Sequence, residues 1–196
     1  MRKAIGYLVV LVMLVAVMSS FHLTGGKDAP GTGRLLVRVS QLDRGQYRST
    51  AEYTTWAYST CSAAAMTEVM DSYGRHYRIT DVLAVESRMG AITPQQGLLE
   101  DAGIARTVAA FGFQTTWGYQ FSLDQIIDTA HAGTPVIVAF PPQRYPGGHL
   151  VVVTGGNRTT VFMADSSRWN RRLLSRTRFL QWWAGFAAVV TPQAGA

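Results

Sequence analysis

The chain has 196 residues, a formal net charge of +6 at pH 7 and one cysteine. This length fits a single domain with a core of its own, and we expect a monomer. No dense run of basic residues is interleaved with aromatic ones, so the composition gives no reason to expect a nucleic-acid partner. The lone cysteine excludes an internal disulfide.

Residues 1–20 have the pattern of an export signal. A basic start at Arg2 and Lys3 precedes an apolar run over residues 4–18, and two serines follow it. This pattern predicts a signal peptide or an uncleaved N-terminal membrane anchor acting through residues 4–18. The protein is therefore expected outside the cytoplasm, either secreted or anchored, and cleavage of the segment would lower its net charge by two, to +4.

Residues 21–34 are rich in glycine and small polar residues, which is typical of a flexible linker. The domain is expected to cover residues 35–192. Its first stretch, "LLVRVSQLD" (35–43), alternates well enough to predict a short strand, whereas the polar and aromatic stretch 44–60 lacks a helical period and predicts a loop.

The cysteine lies where this loop is expected to become a helix, in "YSTCSAAAMTEVMDSYG". Ser59 or Thr60 can cap a helix that runs to about Ser72 and is stopped by Gly74. Cys61 then falls in the first turn of the helix.

Two kinds of pattern follow the cysteine helix. Caps and apolar spacing predict helices over 79–90 and 122–133, with one or two short helices within 93–113. Apolar β-branched segments separated by Gly, Pro and Asn turns predict an antiparallel sheet with strands at 134–140, 149–155, 159–165 and 185–190. The chain is thus expected to be an α+β domain whose helical N-terminal half packs its cysteine helix on a C-terminal antiparallel sheet.

An exported chain with one thiol leaves three explanations for Cys61: a buried inert thiol, an intermolecular disulfide or a reactive nucleophile. The partial positive charge at a helix N-terminus favours a thiolate, which is the reactive form. A nucleophile also needs a base, and His22, His76 and His131 all have structural explanations at their positions in the sequence.

His149 differs because it opens the most apolar strand, after "YPGG". If "GGNR" (155–158) folds this strand back on the next one, His149 and Asp165 lie opposite each other at the open end of a hairpin. A carboxylate there can hold one imidazole nitrogen and leave the other for Cys61. A metal site from these three residues lacks closely spaced ligand pairs, and no cofactor is expected.

These segments together resemble the papain-like cysteine peptidases, in particular the family-39-like branch related to the bacteriocin-leader, double-glycine peptidases. The likeness rests on "VSQLD", "TCSAAAMTEVMDSYG", "GTPVIVAF", "GGHLVVVTGG", "TTVFMADSS" and "FLQWWAGFAAVV". It implies the papain-like fold, with Cys61 as nucleophile, His149 as general base and acid, and Asp165 as the residue that orients His149.

The sequence departs from the family pattern at two points. Ser62 begins "SAA" where the family commonly has Gly-Pro-Ala, so its side chain is expected to narrow the site or to mark a degenerate copy. Thr55 stands six positions before Cys61, where papain-like enzymes often place the oxyanion-hole glutamine. Gln41 is the first substitute for this glutamine and Gln46 the second.

The resemblance implies an exported peptidase that hydrolyses peptide or isopeptide bonds in a peptide, a protein or a peptidoglycan-derived substrate. Two alternatives stay open at this point. One is a cell-wall amidase or endopeptidase of the NlpC type, and the other is a catalytically inactive papain-like domain that binds peptides or envelope components.

Overall fold

The computed structural model describes residues 36–194; the predicted export segment 1–20 and linker 21–34 lie outside the described residues. The described residues contain six α-helices: α1 (Thr50–Trp56), α2 (Cys61–Ser72), α3 (Ile79–Arg88), α4 (Ala102–Ala109), α5 (Leu123–His131) and α6 (Arg176–Trp182). A short 3-10 helix, Arg44–Gln46, precedes them. Eight strands accompany them: β1 (Ile92–Thr93), β2 (Gly97–Leu98), β3 (Phe113–Gly118), β4 (Val136–Phe140), β5 (His149–Gly156), β6 (Thr160–Ala164), β7 (Leu173–Ser175) and β8 (Ala187–Pro192). Within residues 36–194, no helix is both long and apolar enough to span a membrane.

The main sheet has six strands in the order β3-β8-β4-β5-β6-β7, and every neighbouring pair in it is antiparallel. β1 and β2 form a separate two-stranded hairpin. The predicted α+β class and the four predicted strands are confirmed, and α2 packs on β4 and β5 as expected.

The sheet is buried on both faces, which explains why its central strands read as continuous apolar runs instead of alternating ones. Along β4, Ile137 belongs to the core cluster that contains α2, α3 and α4, whereas Val136 and Val138 belong to a second cluster with α5 and α6. The sheet therefore forms the middle layer between two groups of helices.

α2 is the central helix of the first cluster, because every residue from Ser62 to Met70 is buried. Small side chains at Ala63, Ala64 and Ala65 let the helix approach the sheet closely. Gly74 follows the helix with φ of +85°, a left-handed conformation that glycine adopts without the steric cost of a Cβ atom. This packing fixes the position of Cys61 at the N-terminal end of α2.

Two predictions for residues 35–60 are wrong. Residues 36–40 form no strand, because this stretch bonds to other partners: the Val39 N–H, for example, donates to the Glu68 carboxylate at 2.8 Å. The predicted loop 44–60 contains α1, which Ser49 caps by accepting the Glu52 N–H at 3.1 Å. A serine followed three residues later by glutamate is a helix-start signal that was available in the sequence.

β3 is a further difference, because the chain before residue 133 was expected to be mostly helical and no strand was predicted at 113–118. After the buried Phe113, the residues of this edge strand are mostly polar and at least partly exposed, so the apolar signal is weak, and pairing with β8 determines the conformation. The short edge strand β7 was missed for the same reason.

The β5–β6 hairpin has a different register from the predicted one. The Asn157 side-chain oxygen accepts hydrogen bonds from the N–H groups of Thr159 and Thr160, which places the turn at 157–160. Before the turn, β5 contains a bulge between Val153 and Gly155. The ladder pairs Val152 with Ala164, so continuing it would set Asp165 opposite Val151 and not opposite His149. The shift of two residues keeps both side chains on the same side of the hairpin.

Candidate active site

Cys61 is the first residue of α2 and is partly exposed. Thr60 precedes it at the cap position, but its side chain makes no capping bond and contacts the Tyr47 hydroxyl at 2.8 Å instead. As the first helical residue, Cys61 has a backbone N–H without an intrahelical acceptor. Its sulfur also lies at the positive end of the helix dipole, which stabilises negative charge.

His149 and Asp165 are hydrogen-bonded to each other in a buried setting. The distance from His149 Nε2 to Asp165 Oδ1 is 2.8 Å, and the two residues are 8% and 1% exposed. With Nε2 bound to the carboxylate, Nδ1 is the nitrogen that remains for a second partner. Tyr145 stacks near the imidazole, with ring centroids 6.2 Å apart.

Asp165 is held as a carboxylate by three donors. Besides His149, the backbone N–H groups of Ser167 and Arg171 donate to Oδ1 and Oδ2, each at 2.9 Å. Burial alone would raise the pKa of Asp165, but these hydrogen bonds outweigh burial and hold the pKa well below its usual range. Asp165 is thus a fixed negative charge beside the imidazole.

The pKa of His149 is the balance of opposing effects. Burial lowers it, whereas hydrogen bonding to Asp165 and to Cys61, with the negative charge of both, raises it to about 9. Cys61 and His149 also line the same cleft. The structure therefore brings together the three residues that the sequence singled out; their catalytic roles stay a prediction.

Gln41 lies beside this group and is 6% exposed. Its Nε2 donates to the Ala57 carbonyl at 2.9 Å, and its Oε1 accepts the Ser166 hydroxyl at 2.9 Å, so the amide has one orientation. A side-chain amide has two N–H groups, and the second remains available to the cleft that Gln41 lines.

Gln46, the second choice, is excluded from the site by its position. Its Oε1 accepts the Ile79 N–H at 3.2 Å, at the start of α3. It does not line the cleft.

The Ser62 side chain was expected to narrow the site, but it points away from the cleft. Ser62 is fully buried and donates to Glu86 of α3 at 2.6 Å, and it does not line the cleft. The residue therefore does not narrow the site.

The cleft next to Cys61 has a volume of about 410 Å³. One side is built from the β1–β2 hairpin and the start of α4, and the other from the loop that joins β4 to β5. The predicted site residues that line it are Gln41, Cys61 and His149. Trp182 and Trp183 are not part of this lining; Trp183 is buried in the second core cluster.

Three residues that support the site were missed in the sequence. Arg38 donates to the backbone carbonyls of Asp165 and Ser167, at 2.5 and 2.7 Å. The Tyr47 hydroxyl donates to the Gln41 carbonyl at 2.6 Å and also contacts Thr60. Glu68 has a pKa raised to about 8, chiefly by burial. Each of them contacts residues far away in the chain, so no local motif could predict these contacts.

The two remaining histidines among the described residues, His76 and His131, do not line the cleft. His131 Nε2 accepts the Gly156 N–H at 3.2 Å, and His76 lies in the turn before α3, away from the cleft. Within residues 36–194, no group of three His, Cys, Asp or Glu side chains is arranged to hold a metal ion.

The fold is that of a papain-like cysteine peptidase domain. The chain belongs to the Peptidase_C39 like family, whose model matches residues 38–190. The family and the fold expected from the sequence motifs are thereby confirmed.

Several solved structures are similar to the chain, and two of them show the extent of the likeness. One is the peptidase domain of Streptococcus ComA, a bi-functional ABC transporter involved in a quorum sensing pathway, with a TM-score of 0.58 and 23% identity over 69% of this chain and 93% of that domain. The other is a C39-like peptidase from Bacillus anthracis, with a TM-score of 0.59 and 12% identity over 85% of this chain and 99% of that one. No curated protein matches the chain. At these identities, the likeness supports the shared fold.

Proposed function

We propose that the chain is an exported cysteine peptidase that hydrolyses a peptide or isopeptide bond with Cys61 as nucleophile, His149 as general base and acid, and Asp165 as the orienting residue. The observation that carries this proposal is the buried hydrogen bond of 2.8 Å between His149 and Asp165, because His149 lines a cleft that Cys61 also lines. Membership of a peptidase family supports the same chemistry.

The first half of the reaction forms a thioester. His149 takes the proton of the Cys61 thiol, and the sulfur attacks the substrate carbonyl carbon, so that a C–S bond forms and the carbonyl electron pair moves to oxygen. The second N–H of Gln41 and the backbone N–H of Cys61 are the proposed donors to this oxyanion. When the oxyanion collapses, the C–N bond breaks and the leaving amine takes the proton from His149.

The second half releases the acyl group. His149 removes a proton from a water molecule, and the resulting oxygen nucleophile attacks the thioester carbonyl. The C–S bond then breaks, the carboxylic acid leaves, and the Cys61 thiol regains its proton from His149. Asp165 keeps the imidazole oriented and stabilises its positive charge throughout.

The substrate class follows from the family and the predicted location. We propose a peptide, a protein or a peptidoglycan-derived substrate, met outside the cytoplasm. The location rests on the pattern of residues 1–20, a basic start followed by an apolar run. Cell fractionation with N-terminal sequencing of the mature protein tests the location and the cleavage of this segment. A full-length protein in the cytoplasmic fraction would contradict export.

Alkylation of the purified chain by iodoacetamide is the first test of the catalytic roles. We expect Cys61 to react at pH 7 about tenfold or more faster than in a His149→Ala variant, because the imidazole removes the thiol proton. His76→Ala is the matched control, since it removes a histidine outside the cleft and should leave the rate unchanged. Equal rates in all three proteins would contradict a catalytic pair and favour an inactive binding domain.

Substrate assays separate the remaining enzyme alternatives. Release of amines from short peptides identifies a protein peptidase, whereas fragments released from purified muropeptides identify a cell-wall amidase or endopeptidase. Each assay is run beside the Cys61→Ala variant, which should lose all turnover because it has no nucleophile.

A further inference from the structure

The cleft has an unusual charge for this protein. The described chain is rich in arginine, yet no Arg or Lys side chain lines the cleft. Its ionisable lining side chains are Cys61, His149, Tyr58 and Asp101. In the proposed mechanism Cys61 and His149 exchange one proton, so the pair has no net charge whichever of them holds it, and a tyrosine is neutral at pH 7. Asp101 is therefore the lining side chain whose negative charge no other lining group offsets.

Asp101 has an oxygen free for a ligand. It lies directly before α4 and is half-buried, and the Tyr119 hydroxyl donates to its Oδ2. Among residues 36–194, no hydrogen bond reaches Oδ1 and no Lys, Arg or His forms an ion pair with this carboxylate. By contrast, the exposed carboxylate of Asp124 forms an ion pair with Arg176.

The surroundings of Asp101 suit an aliphatic chain that ends in a cation. Leu98, at the end of β2, and Phe140, at the end of β4, supply apolar surface to the same cleft. The stem of a long cationic side chain can pack on such surface while its charged head reaches a carboxylate. Half-burial makes this interaction stronger than a fully solvated ion pair.

We propose that Asp101 is a specificity-determining residue that binds an amine or guanidinium group of the substrate, such as the side chain of a lysine, an arginine or another diamino acid. This inference rests on the proposed function, because it assigns a substrate group to the cleft of Cys61. It adds a charge preference that the catalytic residues themselves do not impose.

Peptidyl chloromethyl ketones test the preference. The probes are alanine tripeptides in which one residue at a time is lysine, norleucine or glutamate, and each alkylates Cys61 as the C–S bond forms and chloride leaves. We expect lysine at one position to react about five- to tenfold faster than norleucine, and glutamate more slowly than either. The lysine advantage should shrink between 50 mM and 500 mM NaCl, because salt screens a partly exposed pair.

Three variants make the test specific. Asp101→Asn should reduce the ratio of lysine to norleucine rates to about one, since it removes the charge and keeps the shape. Tyr119→Phe should retain the ratio, because the carboxylate stays charged. Asp128→Asn should retain it as well, since it removes the same charge from exposed α5, outside the cleft.

Iodoacetamide, which is small and uncharged, separates the two levels of the proposal. If it reacts rapidly with Cys61 while lysine and norleucine probes react equally at all three positions, the Asp101 site is wrong and the peptidase proposal stands. If its rate is that of an ordinary thiol and is unaffected by His149→Ala, both proposals fail. A lysine preference that survives in Asp101→Asn would also overturn the role of Asp101.

Discussion

The hydroxyl of Ser166 donates to the side-chain oxygen of Gln41 at 2.9 Å, although the two residues are 125 positions apart in the chain. Ser166 directly follows Asp165, so the segment that carries the proposed orienting acid also fixes the amide of the proposed oxyanion donor. The backbone repeats the connection, because the Gln41 N–H donates to the Ser166 carbonyl at 3.0 Å. Two functions of the site are thus tied to one short segment.

Gln41→Ala should lower kcat about a hundredfold or more with little change in KM, because an oxyanion donor acts mainly in the transition state. Iodoacetamide alkylation forms no oxyanion, so its rate at Cys61 should stay within about twofold of the parent rate. Steady-state kinetics and alkylation on the same preparation check both parts. A loss of both would indicate that the substitution disturbs Cys61 itself. Ser166→Ala, which frees the amide without removing it, should have a smaller effect.

Asp165→Asn should shift the pH profile of the reaction. In the parent protein we expect activity to fall as the pH rises through about 9, where His149 loses its proton. The neutral amide removes the charge that helps to raise the pKa of His149. The loss of activity at high pH should therefore begin at lower pH, and kcat should fall by about a hundredfold or more. NMR titration of the His149 ring checks the pKa directly. If activity fell at the same high pH in both proteins, Asp165 would not be raising the pKa of His149.

Ser62→Ala should destabilise the domain without altering the chemistry. The Ser62 hydroxyl donates to Glu86 Oε1, and Glu86 Oε2 has no hydrogen-bond partner among residues 36–194. Removing the hydroxyl therefore leaves a buried carboxyl group unsatisfied, at a cost of about 1–3 kcal/mol. Urea unfolding measures this change. Because Ser62 does not line the cleft, turnover per folded molecule should equal that of the parent. A selective loss of turnover would show that Ser62 acts in the site.

The free energy of unfolding should decrease as the pH rises from about 5 to 9. Burial raises the pKa of Glu68 to about 8 and of Glu86 to about 7, so the folded state keeps protons that the unfolded state has released above about 4.5. His149, with its pKa raised to about 9, contributes stability that is fully present below about 6.5 and is lost toward pH 9. Denaturant midpoints at pH 5, 7 and 9 check the slope.

Glu86→Gln provides the control for this pH dependence. It removes one titrating group, so the decrease between pH 5 and 7 should become smaller by up to about 1 kcal/mol per pH unit. Stability that rises over this range in the parent protein would contradict the raised pKa values. Below about pH 4 stability should fall again, as Asp165, whose pKa is lowered, becomes protonated.

Gly97→Ala should affect the cleft more than a matched glycine substitution elsewhere. Gly97 has φ of +70°, and a Cβ atom there would lie 3.1 Å from the Ser59 carbonyl oxygen. Gly74 has φ of +85° with no atom within 4 Å of such a Cβ, so Gly74→Ala carries the backbone strain alone. Both variants should lose about 1 kcal/mol of stability, but Gly97→Ala should also lower turnover, because Gly97 and Ser59 line the cleft. Equal turnover in the two variants would contradict this role.

Local sequence signals predicted the elements that carry the proposed catalytic residues. The apolar run of β5 and the small residues after Cys61 are strong patterns, because the core selects them over many consecutive positions. The proximity of His149 and Asp165 was predicted as well, although from a register that is wrong by two residues. It survived because a shift by an even number of residues preserves the side on which a side chain lies.

Long-range contacts account for the predictions that failed. The N-terminal stretch with Val39 alternates like a strand, but its hydrogen bonds go to Glu68 and Ser166, which no local rule identifies. The prediction for Ser62 failed for the same reason, because the direction of its side chain depends on how α3 packs against α2. The sequence predicts Gln41 as an oxyanion donor, but the orientation of its amide is set by hydrogen bonds to Ser166 and Ala57 that no local pattern predicts.

The position of β8 has a consequence for the order of folding. β8 lies inside the sheet between β3 and β4. The hydrogen bonds that both strands make to β8 cannot form until residues 187–192 have been synthesised. Contacts between distant parts of a chain form late and slow the folding reaction. We therefore expect a ribosome-bound chain that lacks this strand to be incompletely folded, with β3 unpaired, which is a form compatible with the proposed export.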